Sequence, residues 1–160
     1  MADIQIRPIT QAERAWVARL SSESWGSEMV VAHGDVLFPA ELDGFIAFAG
    51  EEKSGLVIYQ IKGDACEIVT LNSLKPNLGI GSQLVRHLAG IAREKGCTRL
   101  WLVTTNDNTN ALRFYQTLGF HLRALRPDII AEYREIKPEI PLIGENGIPI
   151  RDEIELEMDL

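Results

Sequence analysis

The sequence predicts a single α/β domain, and three observations point to it. The 160 residues suffice for one hydrophobic core and not for two. The composition, 46% hydrophobic and 24% charged, is that of a folded globular chain. Short alternating or apolar β-rich runs fill the first half, and from Ile80 onward they give way to strand–helix–strand–helix–strand, the order of crossover units.

Each element has a local reason. Ile4 and Ile6 alternate with polar neighbours over Asp3–Arg7, which predicts a first strand. Thr10-Gln11-Ala12-Glu13 has capping-box spacing, so a helix is expected from there to about Ser24. Trp25 to Pro39 reads as irregular, with one short strand at Met29–Ala32. Phe45–Ala49 and Leu56–Ile61 form a hairpin across residues 51–55, and Gly63-Asp64 turns the chain into a further strand, Ala65–Leu71. Ile80, Leu84, Leu88 and Ile91 make one helical stripe that Gly96 stops. Leu100–Val103 is a short buried strand, Thr109–Leu118 a helix ended by Gly119, and Phe120–Leu125 a strand. Residues 127–137 are a helix candidate, and Pro138, Pro141 and Pro149 punctuate a loop. Ile154–Leu160 alternates as a last strand with one wet face, on which Glu153, Glu155 and Glu157 are read as solvated.

The charge of −7 argues against nucleic acid as a partner. No apolar run approaches the roughly 20 residues of a membrane span, and no secretory signal is visible, so a cytoplasmic protein is expected. Cys66 and Cys97 are expected to be buried reduced thiols. No metal is expected.

The segment from Leu74 to Ser82 joins a strand directly to a helix through Gly79 and Gly81. Free N–H groups of a first helical turn, reinforced by the helix dipole, suit a pyrophosphate. Taken alone, the segment reads equally as a tight packing turn. It fits neither the dinucleotide fingerprint, which needs a third glycine, nor a Walker loop, which needs Gly-Lys-Ser/Thr.

Ala65–Leu71 followed by Gly79-Ile80-Gly81-Ser82-Gln83-Leu84 resembles the cofactor-binding core of the GCN5-related N-acetyltransferase (GNAT) superfamily. Pro76 departs from the usual polar residue at the start of that loop, but Asn77 to Gly81 keep their backbone donors. Asn108-Thr109-Asn110-Ala111-Leu112-Arg113-Phe114-Tyr115, then Leu118-Gly119-Phe120, resembles the superfamily's second segment. The resemblance covers residues 65–120. It implies one domain over 1–160, a mixed twisted sheet flanked by helices, and strands that splay after Leu71 to admit a pantetheine arm.

It also implies acetyl-CoA as cosubstrate and transfer of its acetyl group to a primary amine of a small molecule or peptide. A protein lysine or N-terminus, or a coenzyme A-binding module without catalysis, are the rival readings, and the resemblance leaves room for a homodimer. The Leu71 N–H would hold the thioester oxygen, Asn77, Leu78, Gly79, Ile80, Gly81 and Ser82 the pyrophosphate, and Asn108 and Ala111 the rest of the cofactor. Tyr115 would reprotonate the sulfur; from the residues alone it reads as a core aromatic as well. Glu67, placed by alternation on one strand face with Val69 and Leu71, is the candidate base or else a structural carboxylate. Trp25 and His33 fall in the segment that contacts acceptors in this superfamily. Trp25 reads either as an acceptor wall or as a packed residue. His33 reads as an exposed histidine or a second base.

Overall fold

The computed structural model describes residues 3–160. Seven strands form one mixed sheet in the order β1-β4-β5-β6-β7-β9-β8. They are β1 (Ile4–Pro8), β4 (Asp43–Ala49), β5 (Glu52–Lys62), β6 (Ala65–Ser73), β7 (Arg99–Thr105), β8 (His121–Arg126) and β9 (Glu153–Asp159). Helix α1 (Arg14–Trp25) packs on one face through Val17 and Leu20 against Ile46, Leu56 and Ile58. On the other face α2 (Ile80–Glu94) and α3 (Thr109–Thr117) cover the main core, with the predicted stripe Ile80, Leu84 and Leu88 facing Val57, Cys66, Ile68 and Leu100. Both cysteines are buried and free. Among the described residues, no helix is long and apolar enough to cross a membrane.

The first helix begins as expected, with an added clamp. The Glu13 carboxylate accepts the Thr10 backbone N–H at 2.8 Å and is held by the Arg7 guanidinium at 2.8 Å. The segment after α1 is more ordered than the sequence suggested. It holds two strands, β2 (Val30–Ala32) and β3 (Asp35–Leu37), paired as a separate hairpin. His33-Gly34 is the two-residue turn between them, both at positive φ. No Asn-Gly signal marks that turn, so the sequence carries no local mark of the second strand.

Three register details position the site. β6 and β7 run parallel but pair only over Ala65–Glu67 against Arg99–Trp101. The splay therefore begins after Glu67, four residues earlier than expected. A bulge lies in β6 opposite Ile58/Tyr59, with Val69 as the extra residue. It reverses the alternation, so Val69 packs toward the α1 cluster while Leu71 packs toward α2, and the expected common face of Glu67, Val69 and Leu71 does not exist.

The third detail corrects the last strand. β9 lies between β7 and β8, so both of its edges are paired and side chains from those two strands lie over its glutamates. Glu153, Glu155 and Glu157 are buried, not solvated. Arg126 bonds Glu153 and Glu155 at 3.0 and 2.7 Å, and Arg99 and Arg123 bond Glu157 at 2.9 and 3.0 Å. Burial alone would raise the Glu157 pKa, but the two guanidiniums outweigh it and hold it below the ordinary value.

The candidate tail helix is real, as α4 (Ile130–Ile136), and the proline-rich loop after it is fastened rather than loose. Arg134 donates to the carbonyls of Ile140, Pro141 and Ile150. Asp107 accepts the Glu145 N–H at 3.0 Å, and a Cβ at Gly144 would fall 2.0 Å from that carboxylate, so only glycine fits there.

Candidate active site

Where β6 and β7 part, a cleft of about 1020 Å³ opens between the α2 and α3 N-termini on one side and the α1–β2 segment and α4 loop on the other. Gly79, Ile80, Gly81 and Ser82 line one end. Gly79 adopts φ +67 as the N-cap of α2, a conformation that costs a residue with a Cβ about 1 kcal/mol or more. The first N–H groups of α2 thus remain unpaired within the helix, beside the cleft. Asn77 and Leu78 are exposed and lie outside the lining.

Farther in, Thr70 contributes a buried hydroxyl that has no hydrogen-bond partner among the described residues. Leu71 lines the same stretch. Opposite are Asn108, Ala111, Phe114 and Tyr115 from the start of α3. The Asn108 Oδ1 caps that helix by accepting the Ala111 N–H at 3.1 Å, which leaves its amide N–H group for other partners. Tyr115 is wedged between the rings of Phe114 and Phe120 at 5.0 and 5.3 Å, and burial pushes its pKa well above the ordinary 10. Both readings of Tyr115 therefore meet in one residue, since it belongs to the core and lines the cleft.

Glu67 lines the vertex where the two strands separate, and only 2% of it is exposed. Its Oε1 accepts the Gln60 amide N–H at 2.7 Å, and its Oε2 lies 2.7 Å from His33 Nε2. His33 is mostly buried, not exposed as expected, and it stands behind Glu67 rather than on the cleft wall. Desolvation lowers its pKa, but the Glu67 hydrogen bond and the charges of Glu67, Asp35 and Glu153 outweigh that, so the net direction is upward.

At the other end, Trp25 lines the cleft and is exposed, so it is not packed away in the core. Val30, Val31, Ile130, Tyr133, Lys137 and Glu153 join it there. Tyr133 donates to Glu153 at 3.0 Å; burial and that carboxylate push its pKa up to about 12. The Lys137 ammonium, pulled below its ordinary pKa by burial, donates to the Met29 carbonyl at 2.9 Å. Gln60, Thr70, Phe114, Lys137 and Trp101 were not singled out from the sequence. Gln60 could have been: the two-residue turn at Gly63-Asp64 fixes the β5–β6 register and sets Gln60 opposite Glu67 by counting.

The model of the acetyltransferase (GNAT) family matches residues 14–120. The chain belongs to the GNAT family of acetyltransferases. YdhI of Bacillus subtilis (strain 168) is 40% identical over 151 residues, spanning 93% of this chain and 94% of that protein. The IAA acetyltransferase from Bacillus cereus ATCC 14579 superposes with a TM-score of 0.76 at 23% identity, covering 99% of this chain and all of that one. A GNAT family acetyltransferase from Elizabethkingia anophelis, solved with acetyl-CoA bound, gives 0.72 at 23% identity, with both chains fully covered. These structures share the GNAT fold with this chain: a single α/β domain whose mixed seven-stranded sheet is flanked by helices.

Proposed function

We propose that this GNAT protein moves an acetyl group from acetyl-CoA to the amine of a small molecule. One observation carries the choice of acceptor. The hydrogen bond from Lys137 to the Met29 carbonyl ties the two acceptor-side segments together across the end of the cleft. They also touch at Gly26, where a Cβ would lie 3.7 Å from that of Glu139. A folded protein presenting a lysine needs an open groove, whereas a compact amine fits a bounded pocket.

The residues present suit the cosubstrate. Main-chain donors from Gly79 to Ser82 would hold the diphosphate, and the orphan Thr70 hydroxyl would meet a polar group of the pantetheine arm. Acetyl-CoA supplies the thioester when bound. Around it, Glu67 takes a proton from the acceptor ammonium, freeing the lone pair that attacks, and the Leu71 N–H faces the charge that develops on the carbonyl oxygen. Tyr115, protonated at neutral pH, gives its phenolic proton to the departing sulfur and regains one from the nitrogen as the amide forms.

Thiol release from acetyl-CoA, followed with spermidine, lysine, kanamycin and a lysine-bearing peptide, tests the assignment. At least one small amine should exceed the peptide in kcat/KM by about tenfold or more. A preference for the peptide would reverse the acceptor assignment, and silence toward every amine would remove the N-acetylation reading.

A further inference from the structure

When substrates fill the cleft, Glu67 loses its route to water on that side, yet each turnover delivers it a proton. On its other side the structure provides an exit. His33 Nε2 lies 2.7 Å from Glu67 Oε2, and His33 Nδ1 lies 3.4 Å from Asp35 Oδ2. The Asp35 side chain is 53% exposed, with Lys62 Nζ 3.8 Å away. Burial thus falls steadily along the path from Glu67 through His33 to Asp35.

The imidazole is held in this place at a conformational cost. His33 occupies the first position of the β2–β3 turn at φ 44, where a side chain is disfavoured and asparagine or glycine is usual. Its backbone N–H is pinned by Glu153 Oε2 at 3.0 Å, and its ring lies 5.0 Å from that of Trp101. The charged groups facing the ring are Glu67 from β6, Asp35 from β3 and Glu153 from β9. Trp101 from β7 closes the remaining side without a charge.

We propose that His33 relays the acceptor's proton from Glu67 to solvent at Asp35, making the β2–β3 turn part of the catalytic apparatus. The inference rests on the acetyl-transfer reading above. Glu67 takes the proton as an acceptor N–H bond breaks, and the nitrogen keeps the electron pair. Neutral His33, with its proton on Nδ1, accepts that proton at Nε2 and gives up the Nδ1 proton to Asp35 or the water beside it. Rotation of the imidazole between turnovers, with Nε2 releasing its proton to solvent and Nδ1 regaining one, then restores the starting tautomer. His33 touches no substrate, so it is a positioning and relay residue. Because the relay needs neutral His33, kcat/KM should rise with pH through a His33 ionisation lying above 6.5.

The test uses the whole chain and the fastest small amine of the panel above. His33→Gln should lower kcat/KM about tenfold, abolish that acidic limb, and regain rate when imidazole is added. Asp35→Asn should show a smaller loss. Unchanged turnover with the limb intact in His33→Gln would overturn the relay, as would a loss that imidazole leaves unrepaired. Ring-nitrogen NMR provides a readout independent of turnover. The His33 midpoint should fall in Glu67→Gln, and an unmoved midpoint also sinks the proposal. Should no amine release thiol from the wild type, the acceptor reading fails by itself, and the NMR titration still decides the Glu67–His33 link.

Discussion

A phenol locked between two aromatic rings stays protonated through the physiological range, so Tyr115 holds the proton that the proposed transfer requires of it. Tyr115→Phe should reduce kcat about 100-fold while leaving the acetyl-CoA Kd, measured by calorimetry, within a factor of two or so. Thr70 offers a complementary test. Its unpaired hydroxyl costs the free protein roughly 1 kcal/mol. Thr70→Val, which keeps the shape, should therefore raise the Tm of the free protein and weaken acetyl-CoA binding about fivefold. Thr70 is not legible in the sequence as a functional position, and His33 reads there as an exposed histidine or a second base, not as the partner of Glu67. A side chain's isolation, or its contact with a residue 34 positions away, depends on how strands are stacked and has no local signature.

At the level of elements, local chemistry was a reliable guide where one segment satisfies itself. The capping box, the amphipathic stripe of α2 and the two-residue turn at Gly63-Asp64 all formed as read. The Glu13 carboxylate, held by Arg7 and the Thr10 N–H, is lowered from 4.5 to about 2. A carboxylate depressed in this way adds stability that is present above about pH 4.5 and lost as pH falls toward 2. Glu13→Ala should cost about 1 kcal/mol at pH 7, and its deficit relative to wild type should shrink over that acid window in urea titrations. Gly81 tests the start of α2. Its absent Cβ would lie 3.2 Å from the Phe114 ring, so Gly81→Val should crowd the α2–α3 contact and abolish detectable acetyl-CoA binding, seen as missing titration heats. The bulge at Val69 is the counter-example: one extra residue reverses which face Leu71 occupies, and strand periodicity alone cannot place it.

For the whole molecule, the buried glutamates of β9 show most plainly what a strand's neighbours decide. Their alternation with apolar residues looks like a wet face, but strands on both sides bring Arg99, Arg123 and Arg126 over them. Arg126→Met should destabilise the fold by roughly 2 kcal/mol, allowing for the arginine's partial exposure. Adding Glu155→Gln should recover part of this in a double-mutant denaturation cycle, because the stranded charge is then removed. The end of the cleft proposed for the acceptor is also a product of global assembly, since its walls come from α1–β2 and from a segment more than 100 residues later, joined by Lys137 and Met29.

By itself the sequence determined the α/β order, the helical stripe of α2 and the glycine turn that starts it beside the cleft, and the two segments that mark a GNAT chain. Those features are encoded within a few residues, by spacing, capping and glycine. Only the tertiary structure decided where β6 leaves β7, which face Leu71 takes, what neutralises Glu153, Glu155 and Glu157, and which histidine stands behind Glu67. Each of those is a contact between distant segments, fixed when the sheet closes against its helices and not by any residue's own preference.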